Sequence, residues 1–276
     1  MEKCPFCNIT GTTLFVQEKE FYKHDCQSCR SEFFIPRIEA SQEHYDHEKP
    51  VNRWEFGIIS DQVQRLVKER RREINILDFG CGPGHLIELL NKIDRAVVQG
   101  AEINEKDKEF CHSKGIPIIP IGEKKYKFDL IIACHVIEHV ASIEDFFQML
   151  VSLVEDNGQI FFSLPNPARF ERKFYTGSED FPPNHLNRIT KTGLCKLSAR
   201  NDIQLKAYWT ENFKWTGWRL ASFIGYNIFG RVNSRVLKKL LARSLAIMLF
   251  IPCLLISQLS RQRIGYTHLF LFEKKK

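Results

Sequence analysis

The chain has 276 residues, of which 43% are hydrophobic, so it has room for one large domain with an appendage and can bury a sizeable core. Its net charge of +7 is compatible with contact with an anionic surface but does not require it. Nine cysteines would indicate disulfides in a secreted chain, but the N-terminal sequence carries no apolar run of the signal-peptide type. We therefore exclude a secreted disulfide scaffold and expect a cytoplasmic protein whose paired cysteines bind metal.

Two C-x-x-C pairs, separated by 18 residues, mark the segment 1–35. The pairs are Cys4–Cys7 and Cys26–Cys29. This spacing predicts a four-cysteine tetrahedral zinc site, with a hairpin between the pairs. The segment is too short for an apolar core of its own, so structural Zn²⁺ would supply its folding energy, and the whole resembles a zinc ribbon. A redox pair is the functional alternative, and His24 is a further candidate ligand that we expect to be a bystander.

Residues 36–73 are predicted to form a polar linker followed by a helix. Prolines stand at both edges of the linker, and Tyr45 within it is a candidate to fold back onto a ligand pocket. The helix begins at Trp54, places its apolar residues on one face and ends in a basic stretch. These apolar residues are Ile59, Val63, Leu66 and Val67.

The stretch Ile74–Leu90 combines a short apolar strand, the acidic residue Asp78, a glycine-rich turn and the start of a helix. Glycines let the backbone approach a ligand closely, and the N–H groups at a helix N-terminus favour polar or anionic ligand groups. The pattern therefore predicts a cofactor-binding turn. The dinucleotide fingerprint G-x-G-x-x-G is not matched, because Gly84 comes one residue early and His85 stands at the last glycine position.

The segment DFGCGPG instead resembles motif I of class I S-adenosylmethionine (SAM)-dependent methyltransferases. A second predicted strand ends in Glu102, 22 residues past Gly80, where an acidic residue can bind ribose hydroxyls. The resemblance implies the same role and extends the cofactor contacts to the residues that follow the fourth strand. The SAM-binding residues predicted in this way are Asp78, Gly80, Cys81, Gly82, Gly84, Glu102, Ile103, Cys134 and His135.

Strands and helices alternate five times between Ile74 and Leu164. This order predicts an α/β domain, given the bounds 74–276, with a parallel sheet and ligands at the carboxyl ends of its strands. After the strand that begins at Ile74, strands are predicted at Ala96–Ile103, Ile116–Ile121, Phe128–Ala133, Gln159–Leu164, Ile203–Trp209 and Arg263–Phe272. Together with the resemblance, this pattern predicts a Rossmann-like, seven-stranded, mostly parallel sheet with helices on both faces, preceded by the zinc ribbon.

Two histidines are candidate catalytic bases. The stretch Cys134–Val140 resembles the motif after strand four in small-molecule methyltransferases, which implies that His139 lies at the cleft floor. The loop 168–189 carries His185 in a P-x-H-L sequence, and in that family such a loop closes over the substrate. Methyl transfer to a hydroxyl group needs a proton acceptor, and histidine serves near neutral pH. Glu138 could orient His139, and no catalytic metal cluster is visible in the sequence.

Residues 212–262 form a basic and hydrophobic helical insertion before the last strand. The region 212–263 contains nine Lys or Arg and no Asp or Glu, and Trp209, Trp215 and Trp218 lie at its start. The twelve residues Leu245–Ile256 carry no polar side chain. They are too few to span a bilayer, which takes about 20, and Pro252 is expected to interrupt the helix. We expect peripheral contact with the inner face of a membrane; a buried lid or a dimer interface is the alternative.

These features predict a SAM-dependent O-methyltransferase whose acceptor is small or lipid-linked, such as a saccharide intermediate or a quinone precursor. A second hypothesis is an rRNA or tRNA methyltransferase that binds RNA through its zinc ribbon, since the chain is basic. It is weakened because residues 134–137 lack the N/D-P-P-Y/F motif of base-modifying enzymes and because the positive charge lies among apolar residues. A third hypothesis, a non-catalytic zinc-ribbon adaptor, is disfavoured by the intact glycine motif.

Overall fold

Two β-sheets and six helices form the part of the chain that the structure describes. This computed structural model describes residues 2–10, 12–18, 20–40, 53–121, 126–169, 180–211, 221–222, 224, 228–229, 234–259 and 265–275. The strands are β1 (Thr12–Glu18), β2 (Phe21–Cys26), β3 (Glu32–Ile35), β4 (Ile74–Phe79), β5 (Ala96–Ala101), β6 (Phe128–Cys134), β7 (Val154–Pro165), β8 (Asn187–Arg188), β9 (Ile203–Thr210) and β10 (Thr267–Lys274). The helices are α1 (Glu55–Arg70), α2 (His85–Leu90), α3 (Glu105–Ser113), α4 (Ile143–Leu153), α5 (Lys191–Ala199) and α6 (Arg235–Leu259).

The larger sheet has six strands in the order β5-β4-β6-β7-β10-β9. Strands β5, β4, β6 and β7 are parallel, and β10 lies antiparallel between β7 and β9. The apolar run Phe128–Ala133 of β6 is buried throughout, because helices cover both faces of the sheet. On one face Phe147 of α4 stacks on Phe162 with ring centroids 5.4 Å apart, and on the other α1 buries Ile59 and Val63. These features confirm the predicted Rossmann-like, mostly parallel fold.

The third of the seven predicted strands, Ile116–Ile121, forms only one isolated β-bridge in the described residues. Ile118 forms a parallel bridge with Gly100. The Gly100 N–H donates to the Pro117 carbonyl (2.8 Å), and the Ile119 N–H donates to the Gly100 carbonyl (2.9 Å). Pro117 has no N–H to donate, so the segment cannot extend its pairing with β5 towards its N-terminal end. Six strands therefore form this sheet in the described residues, where seven were expected.

The N-terminal segment forms the predicted hairpin, and its sheet continues into the α/β part of the chain. The order of this smaller sheet is β1-β2-β3-β8, with every pair antiparallel. Strand β8 directly follows the loop that carries His185. The Thr190 hydroxyl donates to the Cys29 carbonyl (2.6 Å) and caps α5 by accepting from the Gly193 N–H (3.0 Å). The ribbon is thus built onto the α/β part of the chain through a shared sheet.

Helix α6 runs through Pro252, which was expected to interrupt it. The helix tolerates the missing N–H because Pro252 is exposed, so the Met248 carbonyl that loses its usual partner is not trapped in a protein interior. The inner side of the helix packs through Ala246 and Cys253 against Ala221.

Within the described residues, no helix has both the length and the apolar character that crossing a membrane requires. Three aromatic residues singled out in the sequence, Tyr45, Trp215 and Trp218, lie outside the described residues. The fold of Tyr45 onto the pocket and the contribution of these tryptophans to membrane contact therefore stay predictions.

Candidate active site

A cavity of about 740 Å³ opens at the carboxyl ends of β4, β5 and β6, where an α/β fold is expected to bind its ligand. The predicted cofactor residues that line it are Asp78, Gly80, Cys81, Gly82, Glu102, Ile103, Cys134 and His135. Of the two candidate bases, His139 lines the cavity directly. Eight of the nine predicted cofactor residues and one candidate base therefore share one cavity wall.

The glycine turn between β4 and α2 requires glycine for two different reasons. The φ angles of Gly80, Gly82 and Gly84 are +71°, +51° and +80°, in a region that L side chains rarely adopt. A Cβ atom on Gly80 would lie 2.6 Å from the Cγ2 atom of Val136, which lines the cavity. A Cβ atom on Gly84 would lie 2.5 Å from the Cδ1 atom of Ile116. Gly84 therefore serves core packing at the start of α2 and is the one predicted cofactor residue that does not line the cavity.

The carboxylate of Glu102 fastens the glycine turn to the end of β5. Its Oε2 atom accepts from the Gly82 N–H (2.8 Å). Its Oε1 atom accepts from the N–H groups of Ile103 (2.7 Å) and Asn104 (2.9 Å). Three backbone donors thus hold this carboxylate at the cavity wall, in the position where the sequence predicts a ribose contact.

Asp78, at the end of β4, is a second buried carboxyl group on this wall. Burial, together with the negative charge of Glu102, raises the pKa of Asp78 to about 7. The ionised form of a buried carboxyl group with a raised pKa is stabilised by a nearby cation or hydrogen-bond donor. Burial also raises the pKa of the Cys81 and Cys134 thiols, so both stay protonated at neutral pH and neither is an activated nucleophile.

His135 follows β6 with a φ angle of +56° and lies between two carboxylates. Its Nε2 atom is 3.3 Å from Oε1 of Glu55, and its Nδ1 atom is 3.2 Å from Oε1 of Glu138. Burial lowers the pKa of His135, but the two carboxylates outweigh burial and raise it above its usual value. Glu55 also accepts from the Ser163 hydroxyl (3.0 Å), which fixes α1 to β7. Glu55 cannot be picked out from the sequence, because acidic residues are common in the exposed first turns of helices.

The two candidate bases lie against each other. The ring centroids of His139 and His185 are 4.8 Å apart, and both rings lie close to the buried carboxylate of Glu138. His139 Nδ1 is 2.7 Å from the Asn184 carbonyl oxygen, and His185 Nδ1 is 3.4 Å from Oδ1 of Asp180. Two histidines that are 46 positions apart in the sequence thus form one cluster.

Asp180 is a further site residue that the sequence does not reveal. It forms a buried ion pair with Arg169, and its carbonyl oxygen accepts from Nη2 of Arg188 (2.7 Å). Burial raises the pKa of Asp180, but His185 and Arg169 outweigh burial and lower it below its usual value. An ionised Asp180 can therefore hold the His185 ring in one orientation.

The four predicted zinc ligands converge at the ribbon. Cys4 Sγ lies 3.6 Å from Cys29 Sγ, Cys7 Sγ lies 3.5 Å from Cys26 Sγ, and all four sulfur atoms are within 4.8 Å of one another. Four thiolates bound to one Zn²⁺ at about 2.3 Å stand about 3.8 Å apart in a tetrahedron. The four sulfur atoms therefore form a donor set that fits a structural Zn²⁺.

Comparison with known proteins agrees with this geometry. A family model described as a methyltransferase domain matches residues 51–207, which is more than half of the chain. The chain belongs to this family, and it is a class I SAM-dependent methyltransferase, as the glycine motif predicted. A solved structure of magnesium protoporphyrin IX methyltransferase from Synechocystis PCC 6803, with bound SAH, shares the fold with a TM-score of 0.51. That likeness covers 85% of this chain and 93% of the other at 13% sequence identity.

Curated relatives carry the name ubiquinone biosynthesis O-methyltransferase. The protein from Pelagibacter ubique is 29% identical over 175 residues, which cover 57% of this chain and 72% of the relative. The human mitochondrial protein is 28% identical over 110 residues, which cover 35% of this chain and 30% of the relative. The match thus spans about 30% of the length of the human, bovine and mouse relatives.

Proposed function

We propose that this enzyme transfers a methyl group to a hydroxyl group of a small, quinone-precursor-like acceptor. The observation that carries the proposal is the contact between His139 and His185 beside the cofactor cavity. An acceptor hydroxyl loses its proton as its oxygen is methylated, and this pair offers a site that can receive the proton. The names of the curated relatives support the quinone-like class of acceptor.

The residues at the glycine turn fit SAM as the methyl donor. When bound, SAM supplies an electrophilic methyl group on a positively charged sulfur. Asp78 has its pKa raised by burial and by Glu102, so a cationic ligand would favour its ionised form. The carboxylate of Glu102 is already held in place for the ribose hydroxyls. Gly80 keeps open a space that a Cβ atom would fill against Val136.

His139 is the better placed of the two histidines to receive the proton. Its Nδ1 atom faces a carbonyl oxygen of Asn184, which can only accept, so Nδ1 carries the hydrogen and Nε2 carries the lone pair. Burial lowers the pKa of His139 more than the charge of Glu138 raises it, which keeps the ring neutral at pH 7. His185, paired with Asp180 and in contact with the His139 ring, is proposed to help orient the acceptor hydroxyl.

The cavity wall outside the cofactor residues suits a flat aromatic acceptor. Apolar side chains of α1, β4 and α4 line it, and they are Phe56, Phe79, Phe146 and Met149. Pockets of this kind hold a ligand through apolar contacts and orient it through a few polar groups, here the histidine cluster. This composition favours a quinone precursor over a saccharide intermediate.

We also propose that the acceptor is taken from a membrane surface through α6. The outer side of this helix exposes apolar residues, which are Val236, Leu237, Leu240, Ile247, Met248, Ile251 and Leu255. Lys239 and Arg243 are exposed on its N-terminal half. An exposed apolar face next to cationic residues is typical of helices that lie in the interface of an anionic membrane.

Two measurements on the purified protein test the methyltransferase proposal. Calorimetry gives the affinity for SAM, and mass spectrometry detects a gained methyl group when isotopically labelled SAM is incubated with phenolic quinone precursors. We expect His139→Ala to lower kcat by about 10²–10⁴ while SAM affinity stays within about twofold. His112→Ala, on the exposed side of α3, is the matched control and should leave both values unchanged. Methylation of RNA but of no hydroxyl compound would overturn the proposal.

A further inference from the structure

The segment that follows the zinc ribbon forms part of the cavity wall. Two of its residues, Glu39 and Ala40, line the cavity that contains the candidate active site. The sequence predicts only a polar linker here, and the matched methyltransferase domain begins later, at residue 51. This part of the wall is therefore a feature that the ribbon and its linker add to the enzyme, and neither SAM binding nor proton transfer uses it.

Hydrogen bonds hold this segment against the turn between β6 and α4. The Arg37 guanidinium donates to the carbonyl oxygens of Val140 (3.1 Å) and Ala141. It also donates to Oδ1 of Asn187 (2.6 Å). The Ala141 N–H in turn donates to Oε1 of Glu39 at 2.8 Å. These bonds hold the Glu39 carboxylate next to the N-terminal end of α4, on the cavity wall.

Two carboxylates lie where the linker meets α4. They belong to Glu39 and Asp145, whose side chains are exposed and line the cavity. Among the described residues that line the cavity, Arg53 is the one lysine or arginine. Burial and Glu102 raise the pKa of Asp78 while Arg53 opposes that rise, so the charge of Arg53 acts on the cofactor residues. The wall beside α4 therefore presents negative charge to an acceptor.

Arg37 offsets the charge of Glu39 only in part. Burial lowers the pKa of Arg37 to about 10 and the charge of Glu39 opposes this shift, so the two charges interact. Arg37 is not among the residues that line the cavity, and its hydrogen bonds go to the backbone of the turn and to Asn187. An acceptor in the cavity therefore meets the carboxylate of Glu39 and not the guanidinium behind it.

We infer that Glu39 is a specificity-determining residue that disfavours acceptors carrying a carboxylate and favours uncharged phenols. This inference rests on the O-methyl transfer proposed above and deepens it by naming the charge of the acceptor. A carboxylate on the acceptor would share the cavity with Glu39 and Asp145, and like charges repel. A phenol hydroxyl that is not methylated can instead donate to the carboxylate of Glu39.

A purely structural role for Glu39 predicts a different outcome. If Glu39 serves only to accept from the Ala141 N–H at the start of α4, Glu39→Gln keeps that bond, because its amide oxygen can accept in the same place. The Tm and the selectivity between acceptors would then both stay unchanged. Under the inference, the Tm stays unchanged and the selectivity between charged and uncharged acceptors falls.

The test compares methylcatechol with protocatechuate, which share the catechol ring and differ in a methyl group against a carboxylate. We expect kcat/KM of the wild type to favour methylcatechol by about tenfold or more, Glu39→Gln to lower this ratio by about threefold to tenfold, and Glu39→Lys to lower it further. Each variant meets the same two acceptors, so the electronic effect of the carboxylate on the ring cancels between variants. Glu20→Gln removes the same charge at an exposed position of the ribbon outside the cavity, and this control should keep the wild-type ratio.

Calorimetry of the same two compounds on the SAH-loaded protein measures discrimination without turnover. Equal ratios in the wild type, Glu39→Gln and Glu39→Lys, or a wild-type preference for protocatechuate, would overturn the inference and leave the proposed methyl transfer intact. Binding ratios that change with Glu39, without methylation of either compound or of any other hydroxyl compound, would support the charge discrimination and overturn the proposed function. Absence of binding and of turnover for both compounds would overturn the inference as well.

Discussion

Arg188 donates from Nη1 to Oε2 of Glu32 at 3.0 Å, and the same two residues are partners where β3 meets β8. Through Nη2, Arg188 also donates to the carbonyl oxygen of Asp180 (2.7 Å). Because the Asp180 side chain faces His185, one arginine connects the zinc ribbon to the loop that carries a candidate base. We therefore expect the metal of the ribbon to influence the orientation of His185, although the two are not in contact.

Loss of a zinc ligand in the ribbon should reduce both stability and turnover. We expect Cys29→Ser to cost about 4 kcal/mol or more of unfolding free energy, as for other lost metal sites. For a chain of this size that corresponds to a fall in Tm of about 8–16 °C. Since the ribbon holds β8, kcat should also fall while the affinity for SAM is kept. Differential scanning calorimetry and steady-state kinetics measure these quantities.

Cys195→Ser, on α5 and outside the ribbon, is the matched control for this change and should leave the zinc content unaltered. Equal Tm and kcat values for Cys29→Ser and Cys195→Ser would show that the ribbon does not brace the loop.

SAM affinity should depend on pH through Asp78. Burial and the charge of Glu102 raise its pKa to about 7, against 3.8 for the ordinary carboxyl group. Between these values the folded state binds more protons than the unfolded state, so this group lowers the stability of the SAM-free protein as pH rises towards 7. A cationic ligand favours the ionised form, so affinity for SAM should increase from pH 6 to pH 8. Calorimetric titrations at several pH values measure this slope.

The variant Asp78→Asn keeps the shape of the side chain and removes its titration. It should stabilise the SAM-free protein at pH 8, weaken SAM binding at that pH and flatten the pH dependence of the affinity. A wild-type affinity that is constant from pH 6 to pH 8 would contradict the role proposed for Asp78.

The close approach of Gly80 to Val136 can be tested with a pair of compensating substitutions. In Gly80→Ala the new Cβ atom would lie 2.6 Å from Cγ2 of Val136, and the residue would keep a φ of +71°. We expect at least tenfold weaker SAM binding, because the turn or Val136 must shift to relieve this clash in the cavity wall. Adding Val136→Ala removes the clash, so the double variant should recover part of the affinity, with about 1–2 kcal/mol of backbone strain left over.

Gly57→Ala is the control for the glycine series. A Cβ atom there meets nothing within 4 Å, and the residue lies inside α1. The change should leave SAM binding unchanged and stabilise the protein by up to about 1 kcal/mol. Failure of Val136→Ala to restore any binding to Gly80→Ala would argue against the clash as the cause.

Membrane contact through α6 can be measured by flotation with vesicles that contain an anionic phospholipid. The double change Ile247→Asp and Ile251→Asp places two charges on the exposed apolar side of the helix, so the bound fraction should fall several-fold. Phe110→Asp, at another exposed apolar position on α3, is the matched control. Higher salt should weaken binding of the wild type, since Lys239 and Arg243 contribute electrostatically. Equal flotation of the two variants would exclude α6 as the contact.

Much of the site follows from local patterns in the sequence. The glycine turn, the acidic residue at the end of β5 and the paired cysteines all depend on spacings within one or two elements, which sequence reasoning detects well. Glu55 and His135 are different, because 80 positions separate them and each is a common residue at its local position. Only the packing of α1 against the sheet brings them together. The same holds for the pairing of β3 with β8, since a two-residue strand has no periodicity to detect.

Two predictions were wrong, the third strand of the larger sheet and the interruption of the helix at Pro252. Both errors have local causes that the sequence contains. The third sheet strand is limited by Pro117, whose missing N–H group outweighs the apolar residues around it. Pro252, in contrast, does not end its helix as expected. An exposed proline in a long helix removes one hydrogen bond without ending the helix when the lost carbonyl partner is not buried.

The pairing of β3 with β8 also orders events during synthesis of the chain. Glu32 and Arg188 are 156 positions apart, so β3 is made long before its partner exists. Until β8 emerges from the ribosome, β3 is an open edge that carries the apolar residues Phe33 and Phe34, and open edges of this kind invite pairing with other chains. Binding of Zn²⁺ to the four cysteines early in synthesis would keep the ribbon folded until β8 is made. The zinc supply should therefore govern how much of the nascent enzyme escapes aggregation.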